Sequence, residues 1–260
     1  MVVVYLCLGH RFGFHLISLF LISLWLNAEL KELFHTLRPF QMYPDILHPL
    51  YVNSAGGYSF PSGHAQLSAV VLGVLAVRTN TAWLRKLLVV LIFGIAFSRL
   101  YLHVHWPADV IGGLLIGFAT VGLYVMVLGL WKLHKINLGY SLSALIIIGA
   151  AVGMLVLSWG NITMLRAGSV FLGSGLGYLI ADRYGGHQVQ YLATRRILKS
   201  ILMILILVGI RIALKSIIGD ETWAIATRYA IMGLCTTWLL PLILCGGTQS
   251  PLKSRIKNVR

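Results

Sequence analysis

The chain has 260 residues, of which 58% are hydrophobic and 11% are charged, and its mean hydropathy is +0.85. This composition lies outside the range of soluble globular domains and is typical of a multi-pass membrane protein. The net charge is +14, but the basic residues form short clusters between apolar runs, so membrane topology explains them better than nucleic-acid binding. We therefore expect no nucleic-acid partner; the expected partner is the bilayer with its anionic headgroups.

Eight apolar stretches approach the length of about 20 residues that crosses a bilayer. Before them, residues 1–9 are too short to span, and we interpret them as the end of a helix whose start is missing. The sequence predicts an all-α fold, a polytopic membrane helical bundle of about eight transmembrane helices. The predicted spans lie near residues 13–30, 64–79, 87–102, 107–130, 139–157, 162–181, 197–217 and 222–245. Glycine pairs at 113/117, 149/153 and 173/177 predict close helix packing.

Basic clusters between the predicted spans indicate the orientation of the chain. Residues 78–86, 131–135, 182–199 and 251–260 hold 13 of the 21 Lys and Arg residues. Alternating spans put these clusters on one membrane face, together with Arg11, and the positive-inside rule makes that face cytoplasmic. The loops 31–63 and 103–106 then face the opposite side.

The first predicted span ends in two cations, Lys31 and Arg38, followed by Pro39. Cations at a helix end are usually anchors that reach toward lipid headgroups, and this interpretation suffices for the segment taken alone.

The second motif is Pro-Ser-Gly-His, which precedes an apolar run. Pro61 suits the start of a helix, Ser62 is a good N-cap, and Gly63 lets another group approach the backbone. A helix N-terminus of this kind binds phosphate readily. An ordinary capped membrane helix needs no histidine here, whereas the His64 imidazole can donate a proton to a leaving oxygen.

The third segment reads SRLYLHVHWPAD. Arg99 lies near the end of an apolar span, where an unpaired guanidinium is expensive and suggests an anionic partner. Pro107 restarts a helix, so the Asp109 carboxylate can reach back across the helix cap. His103 and His105 are both candidate nucleophiles, and the spacing to Asp109 favours His105. A capping Asp beside a surface histidine explains this segment alone equally well.

The predicted topology puts all three segments at one membrane face. Together they supply three cations, a helix N-terminus, two histidines and one carboxylate, which suit an anion site with an acid and a nucleophile. The anion is most simply a phosphate monoester or a diphosphate. Only seven Asp and Glu residues are present, and they are scattered, so we expect neither a metal site nor another cofactor.

These residues resemble the type 2 phosphatidic acid phosphatase family, membrane relatives of the vanadium haloperoxidases and bacterial acid phosphatases. The family pattern is Lys, six residues, Arg-Pro; then Pro-Ser-Gly-His; then Ser-Arg, five residues, His, three residues, Asp. The chain has KELFHTLRP from residue 31, PSGH from residue 61 and SRLYLHVHWPAD from residue 98. The combination is highly specific, although PSGH alone would be weak. Position 103 is often glycine in the family.

The resemblance implies that His105 attacks phosphorus to form a phosphohistidine, with support from Asp109. It also implies that His64 protonates the departing oxygen and then activates water, and that no metal takes part. The residues expected to hold the phosphate oxygens are Lys31, Arg38, Ser62, Gly63 and Arg99. Typical substrates in the family are lipid phosphates such as phosphatidic acid, phosphatidylglycerophosphate or undecaprenyl pyrophosphate, and each of these fits the residues.

We therefore predict a phosphatase core of the haloperoxidase-related type in residues 1–130, with all three motifs. Residues 131–260 are predicted to add transmembrane helices, without an assigned role, to the same integral membrane unit. The expected function is metal-independent hydrolysis of a lipid phosphate at the extracytoplasmic face of a bacterial plasma membrane. The alternative is a protein that binds or transports lipid phosphate without cleaving it. The sequence indicates no oligomeric state.

Overall fold

A computed structural model describes residues 5, 9–50, 56–135, 139–158, 160–184 and 193–245, with the side chains of 193–196 and 245 excepted. These ranges include all three motifs. Most of residues 1–9, part of the basic loop 182–199 and the basic tail 251–260 lie outside them. Within the described ranges every regular element is helical. The α-helices are α1 His10–Phe34, α2 Pro39–Met42, α3 Gly63–Arg78, α4 Ala82–Tyr101, α5 Pro107–Leu133, α6 Tyr140–Val156, α7 Ile162–Arg183, α8 Ala193–Ile218, α9 Thr222–Leu234 and α10 Leu240–Cys245.

The long helices follow the predicted spans. Five segments of the described chain are long and apolar enough to cross a membrane: His10–Met42, Pro107–Leu133, Ile162–Arg183, Ile197–Ile218 and Thr222–Leu244. Two further apolar helices, α3 and α6, are shorter. A π-helix, Cys235–Leu239, joins α9 to α10, so these three elements occupy one predicted span. The prediction of an all-α membrane helical bundle is confirmed.

The chain divides into two compact units. One comprises residues 22–137 and contains all three motifs, and the other comprises residues 1–21 and 138–260. The predicted division of the chain at residue 130 stays a prediction.

In the unit of residues 22–137, α3 packs against both α4 and α5. The contact with α5 is close because two glycines of α5 face α3. A Cβ atom at Gly113 would lie 2.6 Å from the carbonyl oxygen of Ser62, and one at Gly117 would lie 2.6 Å from the Cβ of Ala69. Small residues allow membrane helices to approach in this way, so the predicted packing role of this glycine pair is confirmed.

In the other unit, a Cβ atom at Gly173 or Gly177 would overlap residues of α9 or the π-helix, which confirms a packing role there too. For Gly149 and Gly153 the packing prediction is wrong, because no described atom lies within 4 Å of a Cβ built at either position. Two glycines four residues apart identify a helix face that permits close approach. They do not show that a second helix packs against that face.

Candidate active site

The side chains of His105 and Asp109 are bonded at the start of α5. Pro107 is the first residue of this helix, and the Asp109 carboxylate accepts the backbone N–H of Trp106 at 2.8 Å, as the capping pattern predicts. Asp109 Oδ2 also lies 3.3 Å from Nδ1 of His105. Both side chains are buried, at 5% and 1% exposure. The cap of α5 therefore also orients the histidine ring.

Ser59 is a further partner of this pair. Its hydroxyl donates to Asp109 Oδ2 and lies 3.4 Å from His105 Nδ1, and the residue is fully buried. The same carboxylate oxygen thus accepts the Ser59 hydroxyl, the His105 ring N–H and the Trp106 amide. Hydrogen bonds to a carboxylate favour its ionised form, so Asp109 is held as an anion against the histidine.

Arg38 lies on the other side of the His105 ring. Its Nη1 is 3.3 Å from His105 Nε2, and because a guanidinium has only donors, Nε2 must be the acceptor. Nδ1 then carries the proton that is donated to Asp109. This neutral tautomer leaves the lone pair on Nε2, which is the nitrogen required for nucleophilic attack.

Burial lowers the pKa of His105 below its ordinary value of 6.5. The hydrogen bond to Asp109 opposes this shift, whereas the positive charges of Arg38 and Lys31 add to it. A nucleophilic imidazole must be neutral, so these influences together keep His105 in its reactive form at neutral pH.

All five N–H groups of Arg38 have acceptors, and the residue is 2% exposed. Besides His105, four backbone carbonyls accept from it: those of Gly56 (2.8 Å), Gly57 (2.9 Å), Tyr58 (3.2 Å) and Val104 (2.8 Å). The guanidinium thus ties the loop before α3 to the loop before α5. Because both N–H groups of Nη1 already have acceptors, a phosphate oxygen that bonds Nη1 has to replace either the Val104 carbonyl or His105 Nε2 there.

Lys31, near the end of α1, is directed to the same loop. Its ammonium group donates to the carbonyl oxygens of Tyr58, at 2.5 Å, and Ser59, at 3.1 Å. The residue is half-buried. The two cations of the first motif therefore both bond the backbone directly before the Pro-Ser-Gly-His turn.

That turn opens α3 as predicted, with Ser62 at the N-cap and Gly63 as the first helical residue. The Ser62 amide donates to the Asp109 carbonyl at 2.9 Å, which joins the second motif to the third. The first intrahelical bond runs from Gln66 N to Ser62 O, so the three N–H groups before Gln66 have no acceptor within the helix.

The predicted cap bond of the Ser62 side chain is not formed. Its hydroxyl is fully buried and has no hydrogen-bond partner among the described residues. A buried, unbonded hydroxyl at a helix N-terminus beside two cations is suited to an anion.

His64 is exposed at the first turn of α3, and the charges of Arg99, Arg38 and Lys31 all act on its ring. Arg99, in the last turn of α4, is bonded to the hydroxyl of the adjacent Ser98 through Nε (3.1 Å) and Nη2 (3.0 Å). The three predicted cations therefore all lie close enough to the predicted acid, His64, for their charges to act on it.

The two candidate nucleophiles differ sharply in their surroundings. His103 is exposed and adopts a left-handed backbone with φ +55°, and its ring Nδ1 lies 3.5 Å from the His48 carbonyl oxygen. A left-handed backbone favours glycine, which agrees with the family pattern described above for this position. His105 has the carboxylate and the guanidinium on its two nitrogens, and this geometry favours His105.

Sequence reasoning missed three polar residues that contact this site: Ser59, Asn27 and Gln66. The last two lie inside apolar helices, where an uncharged polar side chain is unusual and indicates a bonded partner. Among the described residues, no group of three or more His, Cys, Asp or Glu side chains is arranged to hold a metal ion.

Two parts of the chain match family models of known proteins. The profile described as PAP2 superfamily matches residues 12–133, and the profile described as PAP2 superfamily phosphatase, transmembrane extension, matches residues 165–247. No solved structure matches the chain.

Several curated proteins are similar to parts of the chain. An undecaprenyl-diphosphatase of Sulfolobus acidocaldarius is 31% identical over 129 residues, which are 49% of this chain and 60% of that protein. A lipid A 4'-phosphatase of Bacteroides thetaiotaomicron is 33% identical over 94 residues, 35% of this chain and 42% of that protein. Phosphatidylglycerophosphatase B of Escherichia coli is 37% identical over 71 residues, 26% of this chain and 28% of that protein. The chain thus covers less than two thirds of each of these relatives.

The two profiles together cover more than half of the chain, one over the three motifs and the other over the helices that follow. The resemblance seen in the motifs is thereby confirmed, and the chain belongs to the PAP2 superfamily.

Proposed function

We propose that the protein is a membrane lipid phosphatase that hydrolyses a phosphate monoester or diphosphate through a phosphohistidine. The observation that carries the proposal is the His105 ring, held between Asp109 and Arg38 with Nε2 as the acceptor. The relatives named above are phosphatases of lipid phosphates, which supports the same class of reaction.

The phosphate group would bind between the first turn of α3 and the cations. The free N–H groups of that turn, the Ser62 hydroxyl and the side chains of Lys31, Arg38 and Arg99 supply donors for its equatorial oxygens. Such donors stabilise the charge that these oxygens carry in the transition state.

In the first step the Nε2 lone pair of His105 forms a bond to phosphorus, and the bond to the leaving oxygen breaks. His64 gives its proton to that oxygen, so the alcohol or phosphate leaves as a neutral or protonated group. The positive charge that develops on the His105 ring is balanced by the buried Asp109 carboxylate.

In the second step neutral His64 takes a proton from water as the water oxygen attacks phosphorus. The bond from phosphorus to Nε2 then breaks, which releases inorganic phosphate and restores the lone pair of His105. His64 ends protonated, as it began. The proposed reaction uses no metal ion, and the two imidazoles carry out all proton and phosphoryl transfers.

The proposed site faces the extracytoplasmic side of a bacterial plasma membrane. This assignment is supported by the basic clusters at 78–86 and 131–135, which lie at the opposite helix ends from the motifs. A lipid substrate remains in the bilayer while its headgroup reaches the site at the membrane boundary.

The test is phosphate release by the purified protein in detergent, with phosphatidic acid, phosphatidylglycerophosphate and undecaprenyl pyrophosphate as substrates and excess chelator present. We expect release that persists in chelator, is abolished in His105→Ala and is retained in His103→Ala, the matched histidine control. In His64→Ala we expect phosphohistidine to accumulate. Tight binding of these lipids by wild type without release would instead support a binding or transport protein.

A further inference from the structure

One face of α1 carries three polar residues at intervals of four, Ser23, Asn27 and Lys31, and all of them bond the segment around the Pro-Ser-Gly-His turn. Asn27 Nδ2 donates to the Pro61 carbonyl at 3.2 Å and to Gln66 Oε1 at 2.8 Å. The amide nitrogen of Gln66 donates in turn to the carbonyl oxygen (3.0 Å) and the hydroxyl (2.8 Å) of Ser23. The row therefore joins α1 to α3.

The two amides are buried inside apolar helices. Asn27 is 4% exposed and Gln66 is 0% exposed, in surroundings where a polar group without a partner is costly. Leucine side chains would fill a similar volume without this requirement. What a hydrophobic pair cannot supply is the bond from Asn27 to the Pro61 carbonyl, which lies directly before Ser62.

The backbone of the turn also packs closely against the Asn27 side chain. A Cβ atom built at Gly63 would lie 3.0 Å from Asn27 Oδ1, so a larger residue at position 63 would push the turn away from α1. Asn27 thus contacts the turn through a hydrogen bond at residue 61 and through packing at residue 63. Lys31, one helical turn further along α1, bonds residues 58 and 59 of the same segment.

We propose that Asn27, itself fixed by Gln66, is a positioning residue that sets the register of the phosphate-binding turn against Lys31 and Arg38. This inference rests on the proposed function. The turn carries the Ser62 hydroxyl, the free N–H groups and His64, which act on the phosphate together. A displaced turn weakens contacts made most strongly in the transition state, so its effect falls on kcat more than on KM.

The test compares Asn27→Leu, Gln66→Leu and the double variant with wild type for kcat, KM and Tm. Each single variant removes the bond between the two amides and leaves a buried polar atom of the remaining amide without that partner, so we expect a lower Tm in both. In the double variant both amides are gone, and Tm should recover most of the loss. We expect kcat to remain about 100-fold lower in Asn27→Leu and in the double variant, with a smaller rise in KM, because the turn stays misplaced.

The matched control is Thr237→Val, which removes a buried hydroxyl bonded to the Ser174 carbonyl at 3.0 Å and the Gly233 carbonyl at 3.2 Å, outside the unit that holds the motifs. It should lower Tm and leave kcat unchanged. A double variant with recovered Tm and wild-type kcat would overturn the inference, because the amides would then serve folding alone.

Binding of inorganic phosphate separates this inference from the proposed reaction. We expect the double variant to bind phosphate about 10-fold more weakly than wild type in a thermal-shift titration. If wild type binds phosphate but releases none from any lipid, the proposed function fails, while a weaker affinity in the double variant still supports the positioning role. Equal affinities in the two proteins would overturn that role.

Discussion

Arg38 Nη1 donates to His105 Nε2 over 3.3 Å, so the guanidinium bonds the atom that is proposed to attack phosphorus. In this arrangement the lone pair of Nε2 is engaged. In the proposed reaction, a phosphoryl oxygen that took this Arg38 N–H from His105 would free the lone pair and would bring phosphorus next to it. Binding of the substrate and release of the nucleophile are then the same event.

Substitution of Arg38 by lysine tests this relationship. Lysine keeps the charge but has three donors on one nitrogen, so it cannot serve four carbonyls and Nε2 together. We expect kcat to fall roughly 100-fold or more and Tm to decrease, because buried carbonyls lose their donors. The control is Arg11→Lys, an exposed arginine paired with Asp182, which should leave both quantities nearly unchanged. Normal turnover in Arg38→Lys would contradict the proposed arrangement.

The sequence predicted the helical membrane fold because hydropathy and helix length are local properties, and it predicted the family because the three motifs keep a fixed order. It did not predict that the Ser62 hydroxyl would be left unbonded, since N-cap preference describes an average helix start. Nor did it identify Ser59 or Asn27. Their partners are 50 residues away at Asp109 and 34 residues away at Pro61, and spacing along one chain does not reveal such contacts.

The pH dependence of kcat/KM should report the lowered pKa of His105. Burial holds this pKa below 6.5, so the acid limb of the profile is expected below 6.5. Ser59→Ala removes a donor from the Asp109 carboxylate, which then binds the His105 N–H more strongly, so the limb should move upward. Ser68→Ala, whose hydroxyl bonds only the Ala65 carbonyl among the contacts described, is the control with an unchanged limb. A downward movement in Ser59→Ala would contradict the assignment.

The same shift has a consequence for stability. The histidine of the unfolded chain binds a proton at higher pH than buried His105 does. As pH falls, protonation therefore stabilises the unfolded state relative to the folded state. We therefore expect Tm to decrease as pH is lowered through 6.5 toward the folded pKa of His105.

Ser62→Ala should lower activity without lowering the stability of the fold. The Ser62 hydroxyl is buried and has no partner among the described residues, so its removal should leave Tm unchanged or slightly higher. If the hydroxyl bonds the phosphate, kcat should fall roughly 100-fold to 1,000-fold, the effect of removing one donor to a developing oxyanion. Ser169→Ala is a close control, since its hydroxyl is equally buried and also lacks a described partner, but lies in the other unit. Loss of activity in both variants would point to a general packing effect.

His103→Gly should stabilise the protein. His103 has φ +55°, and a left-handed backbone costs a residue with a Cβ atom roughly 1–2 kcal/mol, part of which the flexibility of glycine in the unfolded chain offsets. We expect a gain of about 0.5–1 kcal/mol in the free energy of unfolding, with turnover unchanged. His35→Gly, at φ 47°, should behave similarly. If the His103→Gly variant were inactive, His103 would again have to be considered as the nucleophile.

Gly113→Ala should lower activity through the backbone of the turn rather than through any reacting group. The added Cβ would lie 2.6 Å from the Ser62 carbonyl and 3.2 Å from the Gln66 amide nitrogen, so α5 and the turn before α3 must separate. This movement strains the 2.9 Å bond from the Ser62 amide to the Asp109 carbonyl, which holds the second motif against the third.

We expect kcat of Gly113→Ala to fall about 10-fold to 100-fold, by misplacement of the reacting groups, together with a lower Tm. Gly122→Ala lies on the same helix with no described atom within 4 Å of the added Cβ, so it should retain both activity and stability. Equal turnover in the two variants would mean that the site tolerates separation of α3 from α5. The register of the motifs would then depend on other contacts, such as those of Lys31, Arg38 and Asn27.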